Sequence, residues 1–305
     1  MMSLQAYIAT LLIRRKRNAE KKGKQTITQF RKNQEEALRK LKAPQSVLVT
    51  PLLLNNLSAE WLEPSTIKGN QIILYAHGGG YAVGTADSHR ALVAKIAEVA
   101  GLKTLSINYR LAPENPFPAA QEDFIFFYEY LINDLKILPE DIFFMGDSAG
   151  GGLCLSSLLF LKDNKKEIPG GIVCLSPWTD LTLSGESHKT KFHSEPLLNP
   201  EKAQTWAAWY YKDKSPQLPY ISPLFGDFSH TCPIYIQVGT NEVLLNDSLD
   251  FEKIQKAKGA QITLDVYPHM FHVWQFAWRY VPESRKAIQQ IHQFIQKNSK
   301  KTDSN

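Results

Sequence analysis

Cysteine is scarce in this chain: Cys154, Cys174 and Cys232 are the only three among 305 residues. Three is an odd number, and each sits beside apolar neighbours. No disulfide framework can be read from them, which points to a reducing compartment and a cytoplasmic protein. Long apolar runs are missing too. The opening MMSLQAYIATLLIRRKR holds an apolar stretch too short to span a bilayer. Its charges follow that stretch, the reverse of secretory order, so no targeting signal is expected. Internal repeats and low-complexity tracts are absent. There is no G-K-[ST] phosphate loop, and no acidic residue is placed to hold a ribose. No cofactor is expected.

Charge and apolar residues are present in quantity but unevenly placed. The chain is 43% apolar and carries a net charge of +5. Residues 1–43 hold 12 Lys/Arg against 3 Asp/Glu, a balance of +9, which leaves −4 for the remainder. The basic character therefore belongs to one arm, and the body is mildly acidic. Periodicity predicts helices over 3–22 and 29–42, with Arg14 to Arg17 at the C-terminal end of the first, where cations suit the helix dipole. Pro44 closes the arm.

Beyond it, strands and helices alternate. VLVTPLLL (47–54), IILYA (72–76), KTLSINY (103–109), IFFM (142–145), GIVCLS (171–176), IYIQVG (234–239) and TLDVY (263–267) read as strands. Helices are expected from Asp87 or Ser88 to Ala100 (ended by Gly101), and over 119–134, 149–162, 200–211, 246–258 and about 283–296. Continuous apolar strands alternating with helices predict an α/β fold with a mainly parallel sheet covered on both faces. The regions 1–43 and 185–225 do not fit this alternation and are candidates for a lid.

Gly146-Asp147-Ser148-Ala149-Gly150 fits G-x-S-x-G between a predicted strand and a predicted helix, the context in which a serine is held on a sharp turn with its hydroxyl exposed. On its own, a Gly-rich turn packing a helix onto a strand would explain the same five residues. A second motif changes the balance. His77-Gly78-Gly79-Gly80-Tyr81 follows the strand IILYA, and a run of backbone amides at a strand end is suited to a developing oxyanion. A third stretch, Tyr109 to Ala120 (YRLAPENPFPAA), reads as a rigid loop in which Arg110 pairs with Glu114 or Asp123.

HGGGY, YRLAPENPFPAA and GDSAGGG, in this order and spacing, resemble the hormone-sensitive-lipase branch of the α/β-hydrolases, the HGGG-type carboxylesterases. The resemblance runs from about residue 70 to residue 295. It implies an eight-stranded sheet with helices on both faces, a Ser–acid–His triad, and a cap built from the N-terminal helices and an insertion after the sixth strand. The corresponding division is an N-terminal helical cap segment (1–43), a first part of the core (44–184), a cap insertion (185–225), a second part of the core (226–298) and a disordered tail (299–305).

Chain order in this fold places acid and base after the serine, on loops ending late strands. Glu242, just past IYIQVG, aligns with the acid of the resemblance, and Asp247 is its rival. After TLDVY two histidines compete: His272 matches the base, while His269 matches nothing specific. The two lack the Glu of H-E-x-x-H and have no Cys nearby, so no metal is expected. His77 lies in the wrong chain order for a base and is expected to anchor the glycine loop.

The expected reaction is hydrolysis of short- to medium-chain acyl esters through Ser148, Glu242 and His272. The oxyanion would be held by the loop Gly78, Gly79 and Gly80 together with Ala149, Gly78 turning the loop. Tyr81, Trp206 and Tyr210 are candidates to line the substrate pocket. A non-catalytic small-molecule-binding protein on a hydrolase scaffold, or a lactone hydrolase, are the alternatives. A small-molecule ester is the expected partner and nucleic acid is not, because the basic arm has little aromatic interleaving for stacking. Weak membrane-surface association through residues 1–43 and a homodimer both stay open.

Overall fold

The computed structural model describes residues 2–20 and 26–299. The tail expected over 299–305 therefore lies outside the described residues apart from Ser299. In chain order the elements are α1 (Leu4–Glu20), α2 (Ile27–Leu38), β1 (Val47–Leu54), β2 (Leu57–Pro64), β3 (Ile72–Ala76), α3 (Ala86–Ala100), β4 (Lys103–Ile107), α4 (Ala119–Asn133), β5 (Ile142–Asp147), α5 (Ala149–Asp163), β6 (Gly171–Leu175), α6 (Ser187–Thr190), α7 (Pro200–Tyr211), β7 (Ile234–Gly239), α8 (Leu245–Ala257), β8 (Ile262–Tyr267) and α9 (Pro282–Asn298). The strands form one eight-stranded sheet in the order β1-β2-β4-β3-β5-β6-β7-β8. β1, β2 and β4 pair antiparallel, and β4-β3 through β7-β8 are parallel.

Several elements differ from the sequence reading: α2 runs over Ile27–Leu38 rather than 29–42, and the short α6 was not expected. β2 was not expected. It pairs with β1 through a two-residue turn at Asn55 and Asn56, both at positive φ (47° and 65°), a conformation asparagine tolerates and tight hairpins use. The cap of α3 is Thr85 rather than Asp87 or Ser88. Its hydroxyl accepts from the Ser88 amide, and the Ser88 hydroxyl accepts from the Thr85 amide.

The two-residue period of the strands divides the core. Leu74, Ala76, Phe144, Ile172, Cys174, Ile234 and Ile236 face α4, α5 and α8, whose Phe124, Leu153 and Phe251 are buried among them. The alternate residues Ile73, Tyr75, Phe143, Met145, Val173, Leu175 and Tyr235 face α3 and α9. Both faces of the central strands are thus apolar, and each fully buried Phe or Leu contributes about 1.5–3 kcal/mol. The cysteines are free and buried in this core.

The C-terminal ends of β3, β5, β6, β7 and β8 converge on one edge, where the loops carrying the chemistry sit. Over them lie α2 and α7. Phe30 of α2 meets Trp206 of α7 at 5.6 Å between ring centres, and the Lys202 ammonium lies 4.0 Å above Phe30. Arg31 fastens α2 to the body: its guanidinium donates to Glu114 (2.7 and 2.8 Å) and to the carbonyls of Ala82 (2.7 Å) and Ala112 (2.8 Å). Arg110, free to choose either acid on sequence grounds, pairs with Asp123 (2.8 Å) and Glu122 (2.9 Å) instead of Glu114.

Candidate active site

β5 ends in Asp147, and Ser148 follows with φ 54° and ψ −120°. This is outside the regions a non-glycine residue ordinarily adopts and costs on the order of 1–3 kcal/mol. The surroundings hold it. The Ser148 amide donates to the Leu175 carbonyl at 2.8 Å, and its carbonyl accepts from Gly152 (3.1 Å) and Trp178 (2.9 Å). The run of small residues after the strand now has its reason. A Cβ at Gly150 would collide with the carbonyls of Ala76 and His77, so α5 can lie against the end of β3 only as glycine.

The HGGG loop is braced from below. Asp147 is buried, and its Oδ1 accepts from the Gly78 amide (2.9 Å) and the Tyr75 hydroxyl (2.7 Å), while Oδ2 faces His89 Nε2 at 3.4 Å. Burial alone would raise the Asp147 pKa, but His89 and the Tyr75 hydroxyl outweigh it and hold the carboxyl below its usual range. His77 is neutral, pulled down to about 3 by burial with His89 adding. Its Nδ1–H donates to the Gly78 carbonyl at 2.7 Å, and its ring stacks on Tyr109 at 4.3 Å. The Gly78 amide is thereby committed to the brace. Among the described residues the amides of Gly79, Gly80 and Ala149 enter no hydrogen bond. Gly80 (φ 59°) lies directly under the Trp206 ring, where a Cβ would strike it.

Glu242 and His272 arrive on the loops after β7 and β8. His272 Nδ1–H donates to Glu242 Oε2 at 2.9 Å. Glu242 Oε1 accepts from the Gly239 amide (2.6 Å) and the Ser176 hydroxyl (2.8 Å), and the carboxylate is fully buried. Burial lowers the His272 pKa, but the facing Glu242 carboxylate, with Glu195 adding, more than offsets this and leaves it above an ordinary histidine's. The structure thus brings Glu242 and His272 into contact. Among the described residues no hydrogen bond joins the Ser148 hydroxyl to the His272 ring; such bonds commonly tighten only with substrate in place.

Asp247 turns away from this cluster. Its Oδ2 pairs with His188 Nε2 at 3.0 Å, and its Oδ1 accepts from the amides of Thr179 and Asp180. The pair ties the segment after β6 to α8. His269 is exposed and meets only loop groups: its amide donates to Thr240 and its carbonyl accepts from Asn241. Of the three aromatic candidates, Tyr81 and Tyr210 stack face to face at 3.7 Å with 1% exposure each, joining α7 to the glycine loop. Trp206 stands over Gly80.

Two residues escaped the sequence reading. Ser176, at the end of β6, donates to Glu242 and accepts from the Val273 amide at 3.3 Å, so it links the loops of acid and base. Its position at the C-terminal end of a core strand was a usable signal. Glu195 is fully buried beside His272, whose amide donates to its Oε2 at 3.3 Å, while the Leu197 amide donates to Oε1 at 2.8 Å. Burial raises its pKa to about 7, with Glu242 adding. Nothing in the pattern of residues around Glu195 distinguishes it from a surface loop acid.

The chain resembles known proteins over most of its length. A family profile described as alpha/beta hydrolase fold matches residues 73–276. The chain is 37% identical over 261 residues to an acetyl-hydrolase of Streptomyces hygroscopicus, covering 86% of each chain. It is 32% identical to an esterase of Acinetobacter venetianus, covering 82% of each. Among solved structures, an esterase from the bacterial hormone-sensitive lipase family superposes with a TM-score of 0.92 at 35% identity, over 98% of this chain and 100% of the other.

Proposed function

The chain belongs to the alpha/beta hydrolase fold family, among the hormone-sensitive-lipase-like carboxylic ester hydrolases, and from this premise we propose that Ser148 is its nucleophile, His272 its general base and Glu242 the acid that orients the base. The observation that carries the reading is the buried Glu242–His272 contact at 2.9 Å. With the Nδ1 proton held by Glu242, the Nε2 lone pair is left to accept the Ser148 proton. Ser148 Oγ then attacks the ester carbonyl, and the amides of Gly79, Gly80 and Ala149 take the oxyanion. The alcohol leaves with the proton from His272. Water, deprotonated by His272 in turn, releases the acid and restores Ser148. Losing one oxyanion donor costs roughly 10²–10³ in rate.

The acyl group this site takes is proposed to be short to medium in length. Trp206 stands against Gly80, and Phe30 against Trp206, so bulky rings crowd the glycine loop. The relative named an acetyl-hydrolase fits that length. The test is hydrolysis of p-nitrophenyl esters of rising chain length by the wild type, Ser148→Ala and Trp206→Ala. Turnover is expected to peak at a short chain, to vanish in Ser148→Ala, and to move toward longer chains in Trp206→Ala. Turnover that survives Ser148→Ala would remove that serine from the mechanism.

A further inference from the structure

The first helix is assembled the wrong way round for an ordinary surface helix, which buries its bulky apolar stripe and shows water its polar face. In α1 the face packed on the body is made of small and medium residues. Ala6 is fully buried and Thr10 nearly so, while Ala9 and Ile13 complete the contact with Tyr267, Met270, Phe271, Trp274 and Val281. The helix is held at both ends: the Ser3 amide and hydroxyl donate to the Glu283 carboxylate at 2.7 and 2.8 Å, and Arg14 donates to the Ser194 carbonyl at 3.2 Å. The large side chains point outward. Leu4 (69% exposed), Tyr7 (50%), Ile8 (47%), Leu11 (44%) and Leu12 (62%) follow the i, i+3, i+4, i+7, i+8 spacing of one helical face, and exposed Arg15 continues it. A contiguous apolar stripe of this kind marks a place where something binds.

The chain beside the stripe says what that is. Exposed Arg15 continues the stripe, and Lys16 and Arg17 follow it in the sequence of the same helix, with Glu20 the single acid of α1. An anionic lipid surface answers the apolar stripe and the adjoining cations together. A second copy of this chain would answer only the first, since its own arm carries the same excess of cations. No helix among the described residues is long and apolar enough to cross a membrane, so α1 would lie in the plane of the interface. We propose that the outer face of α1, continued by exposed Arg15, docks this protein onto anionic bilayers. The inner face of α1 shares one apolar cluster with Met270 and Phe271, the residues just before His272. Docking would therefore place the loop of the proposed base one helix away from the lipid.

The experiment is co-sedimentation with phosphatidylcholine vesicles with and without phosphatidylglycerol, using the full chain, Ile8→Glu/Leu12→Glu, and Arg15→Gln/Arg17→Gln. All three are first assayed on soluble p-nitrophenyl acetate, and equal turnover establishes that they are folded. The wild type is expected to bind the anionic vesicles, and to lose them as salt is raised. The apolar double variant is expected to lose binding, and the charge variant to bind roughly 25-fold more weakly, about fivefold for each cation removed. Wild-type binding that ignores phosphatidylglycerol, or is absent, overturns the proposal, as does a variant pair that binds like the wild type. Sedimentation velocity supplies the other refutation: a wild-type dimer that Ile8→Glu/Leu12→Glu converts to monomer would assign the stripe to a second copy.

Discussion

Replacing Glu242 by glutamine changes one atom's chemistry and almost nothing in shape, and the surrounding hydrogen bonds dictate how the amide must sit. The Gly239 N–H points at Oε1 from 2.6 Å and the Ser176 hydroxyl from 2.8 Å. An amide NH2 placed there would face the Gly239 donor, so the glutamine carbonyl takes that side. Its Nε2 is then turned to His272 Nδ1, where the carboxylate oxygen now stands at 2.9 Å. A donor in that position forces Nδ1 to accept, and the imidazole proton moves to Nε2. The ring can then no longer take a proton from Ser148. The same kind of replacement in a Ser-His-Asp enzyme lowers kcat about 10⁴-fold, or ~5.5 kcal/mol at 1.36 kcal/mol per factor of ten. The site is fully buried, so water has no easy route to restore the pairing. The assay is kcat on p-nitrophenyl acetate across pH. In the wild type the raised His272 pKa puts the acid limb above 6.5, since the base works only when neutral; in Glu242→Gln the limb should fall with the rate. Asp247→Asn, which breaks the contact with His188 instead, should leave kcat within a few-fold. A folded Glu242→Gln enzyme retaining kcat within about tenfold of wild type would refute the reasoning, because the tautomer argument predicts far more.

Two further outcomes follow from burial. Gly150→Ala should destabilise the fold by about 1–3 kcal/mol in urea unfolding, since its Cβ meets two carbonyls that hold the HGGG loop; an unchanged midpoint would show that α5 can retreat from β3. Glu195 binds a proton more tightly in the folded state, its pKa raised from 4.5 to about 7 by burial. Its contribution is therefore full below about 4.5 and is lost as pH rises through about 7. Glu195→Gln should flatten that decline in a series of urea midpoints, and an unaltered pH slope would show that the carboxyl is not the group responsible.

Most of the sheet was legible because its parallel strands are apolar on both faces and end at glycine, proline or a polar loop. Seven strands and the helices between them follow from that pattern. β2 (LSAEWLEP) was not legible, because Ser58, Glu60 and Glu63 break the apolar run and its identity depends on the Asn55-Asn56 turn. The proposed nucleophile and base stood in local motifs, where small residues or a strand end announce a special backbone. Chain order admits both Glu242 and Asp247, and only the alignment with the acid of the resembling family favoured Glu242. The structure separates them by partner, His272 for one and His188 for the other. Glu195 and Ser176 act across long separations: Ser176 at least stood at a strand end, whereas nothing in the neighbours of Glu195 encodes its contact. The outward apolar face of α1 was hidden for another reason: periodicity gives a stripe but not which side of the helix meets the body.

The central claim is that Ser148 carries the acyl group, and covalent trapping tests it most directly. The wild type is treated with a fluorophosphonate, digested, and mapped by mass spectrometry, with labelling rates measured across pH. We predict one adduct, on Ser148, forming more slowly as pH drops through the raised His272 pKa, and none in Ser148→Ala. An adduct on another residue, or equal labelling of Ser148→Ala, would contradict it.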